Sequence, residues 1–304
     1  MRLHLLSLAA VSMLLFSCSS GDQFDLKYRP AANSKYTFSN VTTIHMDQKM
    51  MGQQMKMDQE MIYDGIYEIG AMTADSTYDV SLTYTRMRTN QKMTSPEVAE
   101  IAFDSDKPDS NSVDPKDKMY QMMLNHPMQM KVSKDGKVLE FKGMAELMKS
   151  MLDDTMGGGK MAEELAGQFS DDNMKSTMEY MFSLYPSKKV SPNDSWEIEQ
   201  KYEAGYPMLI KSKFVLEGLK DGRFVVNNSG TIQTNKGGKG MMAMMAKMIE
   251  LKGDQTGTIE LDAKTGLPMA NTTKMKITGE MNMMGAKFPI SMESSTKVTL
   301  TPVK

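Results

Sequence analysis

Two stretches of this sequence carry side chains suited to hold something. HMDQKMMGQQMKM, residues 45–57, places His45 near Met46, Met50, Met51, Met55 and Met57. MYQMMLNHPMQM, residues 119–130, places His126 near Met122, Met123, Met128 and Met130. A thioether is a soft, neutral ligand that suits Cu(I), and imidazole is a common ligand for copper. As chemistry, His45, Met46 and Met50 together with His126, Met128 and Met130 make a candidate Cu(I) or Ag(I) set.

The competing reading is packing. Of the 36 methionines, 34 follow residue 17, against 15 leucines in the same span. Leucine is ordinarily among the commonest residues, so methionine has taken over its positions. The density is as high at 144–181 and 241–248, where no histidine is near. Burying a methionine side chain contributes roughly 1.5–3 kcal/mol with no ion present. The favoured expectation is therefore that no cofactor is needed, with Cu(I) as the alternative. Methionine is also unbranched and polarizable, which suits adaptable binding surfaces. Met55, Met57, Met61, Met128 and Met130 are the residues expected to line a face that takes an apolar ligand or partner.

Motifs for other chemistry are missing. G-x-S-x-G, H-E-x-x-H, Walker and dinucleotide-glycine patterns do not occur, and each marks a distinct catalytic or nucleotide-binding device. A non-enzymatic protein is expected. The pairs Asp153-Asp154 and Asp171-Asp172 fall where helices end or begin, and the second is favourable charge at a helix N-terminus. With a net charge of −2 there is no basic excess to hold nucleic acid.

The elements that position these residues follow from periodicity. Along 53–69, Met55, Met57, Gln59, Met61, Tyr63, Gly65, Tyr67 and Ile69 alternate with Lys56, Asp58, Glu60, Ile62, Asp64, Ile66 and Glu68. Strand side chains alternate faces, so this predicts a long strand with one dry and one wet face. The same period runs through Tyr36–Ile44, Tyr78–Tyr84, Met128–Val132 and most of 196–300. Between them the period changes. Asp114-Pro115 is a helix start, Met119, Met122 and Met123 share one helical side, and Met144, Leu147, Met148, Met151 and Leu152 keep helical spacing. A further helix is expected from Asp171, and 236–253 reads as a glycine-flanked helix or apolar tongue. The predicted fold class is mainly β, of α+β type. It consists of antiparallel, strongly curved sheet or sheets with one apolar face, covered by a central helical insertion.

The chain opens with an export signal. Arg2 precedes an apolar run from Leu5 to Phe16, too short to span a bilayer as a helix but of signal-peptide form. Leu15-Phe16-Ser17-Cys18 resembles a bacterial lipobox, which implies a diacylglyceryl thioether on Cys18 and several acyl chains, enough for stable anchoring. The expected organisation is a signal over residues 1–17, a lipidated tether over 18–24, a β-rich part over 25–142, a helical insertion over 143–184 and a second β-rich part over 185–304. Ser19 after the cysteine favours the outer membrane by analogy with enterobacterial sorting; the face exposed stays open. An envelope protein is the other partner class expected.

LYPSKKVSPNDSWE at 184–197, VSKDGKVLEFKG at 132–143 and LDAKTGLPM at 261–269, with the lipobox, resemble DUF6263. That is a family of uncharacterised secreted proteins and lipoproteins of Bacteroidetes. The resemblance implies localisation and β-rich architecture, and brings no catalytic residue with it.

Overall fold

Period-2 patterning on this scale demands long strands that share one apolar face, and the chain forms them. The computed structural model describes residues 22–303 apart from 51–52, 96, 109–114, 157–169, 203–205, 238–239 and 284. The expected signal over residues 1–17, Cys18 and the expected helix-start Asp114 lie outside the described residues. The strands are β1 (Ser34–Met50), β2 (Gln53–Met72), β3 (Thr77–Ser95), β4 (Glu97–Asp104), β5 (Met128–Ser133), β6 (Val138–Lys142), β7 (Ser195–Tyr202), β8 (Met208–Lys220), β9 (Arg223–Thr234), β10 (Ile249–Asp262), β11 (Pro268–Met283) and β12 (Ala286–Pro302). The helices are α1 (Pro115–Met123), α2 (Met144–Met156), α3 (Asp171–Phe182) and α4 (Gly240–Met248).

The two β-rich parts are one sheet. Its order is β6-β5-β3-β2-β1-β12-β11-β10-β9-β8-β7, antiparallel throughout, with β4 pairing the far half of β3. Each half is a meander. They join where β1 meets β12, in register from Tyr36↔Pro302 to Gln48↔Ile290. The sheet is open, because β6 and β7 end it on either side. Helix α3 nevertheless packs against both edge strands. One helix can touch both edges only if the sheet curls towards closure.

Burial shows which face is inside. One cluster joins Tyr36, Phe38, Tyr67, Ile69, Val80 and Leu82 of the sheet to Leu147, Met148 and Leu152 of α2 and Met178 and Phe182 of α3. A second gathers Phe214, Leu216, Phe224, Val226, Ile259 and Leu261 beneath Leu26, Leu184 and Val190. A third, at the other end of the C-terminal half, holds Met208, Ile210, Ile232, Ile249, Leu251, Ile277 and Ile290. Polar contacts fix the cover. Trp196 Nε1 donates to the Leu184 carbonyl (2.9 Å) and Gln200 Nε2 to the Ser183 carbonyl (3.0 Å). Tyr185 Oη donates to the Gly266 carbonyl (2.9 Å), and Asp171 accepts from the Ala145 amide in the first turn of α2 (3.4 Å). Among the described residues no helix is long and apolar enough to cross a membrane.

Candidate functional site

Where the covering helices meet the curled sheet, packing is incomplete. A cavity of about 130 Å³ is left between them. A water needs at least about 10–15 Å³ on this measure, so the space matches roughly ten waters and falls below the about 300–1,000 Å³ of drug-sized ligand pockets. Phe38 of β1, Tyr67 of β2, Leu82 and Tyr84 of β3 and Met130 of β5 form one wall. Val298 and Leu300 of β12 continue that wall beside β1, Leu267 adds to the lining, and Met178 and Phe182 of α3 close it.

Tight packing of the sheet shapes this wall. Gly65 lies directly across from Phe38, and a Cβ at Gly65 would meet the Phe38 ring at 2.4 Å. The missing side chain lets the ring lie flat against the strand. Tyr28 and Tyr67 bond through their hydroxyls at 3.2 Å, and Tyr28 sits edge-on to Phe182. Burial pushes the Tyr84 hydroxyl up to about 12 and raises Tyr67 well above the ordinary tyrosine value. Both phenols are therefore neutral at physiological pH, able to donate but carrying no charge.

The cavity has one polar side. Asn40 and Asn271 line it, flanking Val298, which pairs with both. The Thr42 hydroxyl donates to Asn40 Oδ1 (3.1 Å), and the Thr273 hydroxyl to Asn271 Oδ1 (3.2 Å). Each asparagine thus brings a carboxamide, with donor and acceptor capacity, to this side of the cavity. Among the described residues, no lysine, arginine or carboxylate lines the cavity. The arrangement can hold an apolar body and donate hydrogen bonds to one polar end.

The residues singled out by sequence fall in different places. Met130 is on the cavity wall, and Met128 is buried in the same core cluster. Met55, Met57 and Met61 share the inner face but lie farther along β2, half-buried, off the cavity wall. The metal set is not brought together. His45 and Met46 are neighbours on one strand, so they face opposite ways. His45 Nδ1 meets Asp58 at 2.6 Å on the wet face, with both side chains about two-thirds exposed (68% and 65%). Met46 pairs with Met57 on the inner face. His126 is half-buried ahead of β5, whereas Met128 and Met130 are buried. The Met50 side chain lies outside the described residues. Sequence reasoning missed Asn40 and Asn271. The available signal was polar residues in the inward phase of strands, Asn40 and Thr42 between Phe38 and Ile44, and Asn271 and Thr273 before Met275.

The sequence profile of a family of unknown function (DUF6263) matches residues 75–268. No curated protein matches the sequence. Among solved structures, one on lipid–protein interactions in lipovitellin is similar, with a TM-score of 0.50 at 11% identity. The likeness covers 89% of this chain and 25% of that one, so this chain spans about a quarter of lipovitellin's length. The translocator domain of the autotransporter NalP from Neisseria meningitidis is also matched, at a TM-score of 0.26 and 5% identity, over 88% of this chain and 89% of that chain.

Proposed function

This chain belongs to DUF6263, a family of unknown function, and from its own geometry we propose a non-enzymatic, lipid-anchored cell-envelope protein that holds an apolar ligand beneath α3. The observation that carries the reading is the cavity. It is bounded by Phe38, Leu82, Met130, Met178, Phe182 and Leu300, in a region where the surrounding core is otherwise closely packed. Space of this size lined by apolar groups is a place for a ligand rather than for water, which needs two to four polar partners per molecule.

The polar side narrows the ligand class. Asn40 and Asn271 can donate, and among the described residues no cation lines the wall. The fitting ligand is an acyl chain with an acceptor head such as an ester or carboxyl carbonyl; a phosphate would leave its charge unpaired. The likeness to lipovitellin, a structure described for lipid–protein interactions, adds an analogy of architecture, which by itself does not establish function. Lipidation of Cys18 in the outer membrane supplies the setting, and labelling with radioactive palmitate tests it, since a Cys18→Ala chain should take up no label.

Native mass spectrometry of gently purified protein tests the ligand. The expected result is a bound mass that organic extraction removes and that Val298→Phe, which fills the space, abolishes. Protein that is empty in repeated preparations and takes up neither palmitate nor its methyl ester overturns the proposal.

A further inference from the structure

Beyond the helices, the inner face carries a row of thioethers. The register pairs Met57 with Met93 on one side and with Met46 on the other. Met46 pairs in turn with Met292. Four methionines on four adjacent strands, β3, β2, β1 and β12, therefore stand directly opposite one another on one face. Directly opposed side chains start about 4.5–5.5 Å apart at Cβ. Methionine's three rotatable bonds let neighbouring sulfurs close the remaining distance onto a common ion. This row shares no residue with the cavity wall.

We propose that this row is a soft-cation site, taking Cu(I) or Ag(I) through thioether sulfur alone, with the ion held between neighbouring methionines of the row, Met46 and Met57 at its centre; Met93 and Met292, three strand spacings apart, flank that pair and do not share one ion. All four side chains are half-buried. That matters, because thioethers are neutral and leave the cation's charge uncancelled. A fully dry core such as that around Met128 would penalise it heavily, whereas a half-open face admits water and counter-ions. Met46 and Met292 lean on the third core cluster, which holds the row from one side. Met57 and Met93 belong to none of the three clusters. The Met57 sulfur already acts as an acceptor, receiving Gln91 Nε2 at 3.3 Å, and its second lone pair remains for an ion. Thioether-only donors select soft monovalent metal over Zn²⁺ or Cu²⁺, which favour nitrogen and oxygen. His45 has no part in the site, since it projects from the other face beside Asp58.

Titration of the full chain with Ag(I), against free methionine as competitor, tests this. The tightest site should bind at least a hundredfold better than free methionine. Met46→Leu/Met57→Leu/Met292→Leu should weaken it at least tenfold while thermal stability holds, because methionine–leucine exchange conserves volume. His45→Ala should change nothing. Thioethers carry no proton at accessible pH, so affinity should be equal at pH 5 and pH 7.5, whereas an imidazole site must lose protons to bind. Wild-type affinity no better than free methionine, an unaffected triple variant, or a strong loss at pH 5 would each overturn the assignment. None of these outcomes bears on the cavity.

Discussion

Strand β2 offers two regions with one sequence rhythm and two fates. From Gly65 to Ile69 its inward residues are buried under α2 and α3; from Met55 to Met61 they are half-buried. The alternation is equally clean in both. The difference is therefore made by what lies above the strand. Patterning specifies a face, and only packing against another layer makes that face an interior. The methionines divide along the same line. Met128, Met130, Met148 and Met178 fill the covered end as core, whereas Met46, Met57, Met93 and Met292 form a ladder on the uncovered end.

The largest effect should come from breaking the covered end at Gly65. A side chain there would meet the Thr83 carbonyl at 2.2 Å and the Phe38 ring at 2.4 Å. Overpacking costs about 1–3 kcal/mol, occasionally more, and backbone contact puts Gly65→Val at or above the upper end. Circular dichroism should show a large fall in the denaturation midpoint. Next comes Met130→Ala, which should lose about 2–5 kcal/mol as a core truncation, read by urea unfolding together with weaker ligand retention.

High pH should attack the covered end selectively. Tyr28, Tyr67, Tyr84 and Tyr185 sit there, and burial raises all four. A phenol whose folded pKa is raised favours the fold while it stays protonated. That contribution is complete below pH 10 and is lost as pH climbs through about 12, the value for Tyr84. Phenolate absorbance should therefore appear together with unfolding; absorbance rising ahead of any structural change would show these rings to be accessible. The smallest effect belongs to Met57→Ala on the uncovered end, expected near 1 kcal/mol or below, the centre of ordinary substitutions. A loss equal to that of Met130→Ala would erase the contrast between the two regions.

Much of this architecture was legible because strand faces write themselves at period two. The starts of α2 and α3 were equally readable from the 3.6 spacing of Met144, Leu147, Met148 and of Met174, Met178. Two things were not. β4 puts apolar residues on both faces, Val98 and Ala102 on one and Ala99, Ile101 and Phe103 on the other, so its sequence shows no alternation to read. The union of both β-rich parts into one sheet rests on β1 pairing with β12, a contact between residues about 240 to 266 positions apart, which no local period encodes. The polar side of the cavity hid for a related reason. Asn40 and Asn271 look like ordinary interruptions until β12 brings them together around Val298.

That central seam has a kinetic corollary. β1 and β12 are mutual neighbours, so the sheet cannot be zipped until synthesis has delivered β12. Loop-closure entropy must be met before so distant a contact stabilises anything. Until then each meander exposes a long unpaired edge, an invitation to the wrong partner. A nascent chain of this design should stay open and dependent on holding factors until β12 has emerged, and close only then.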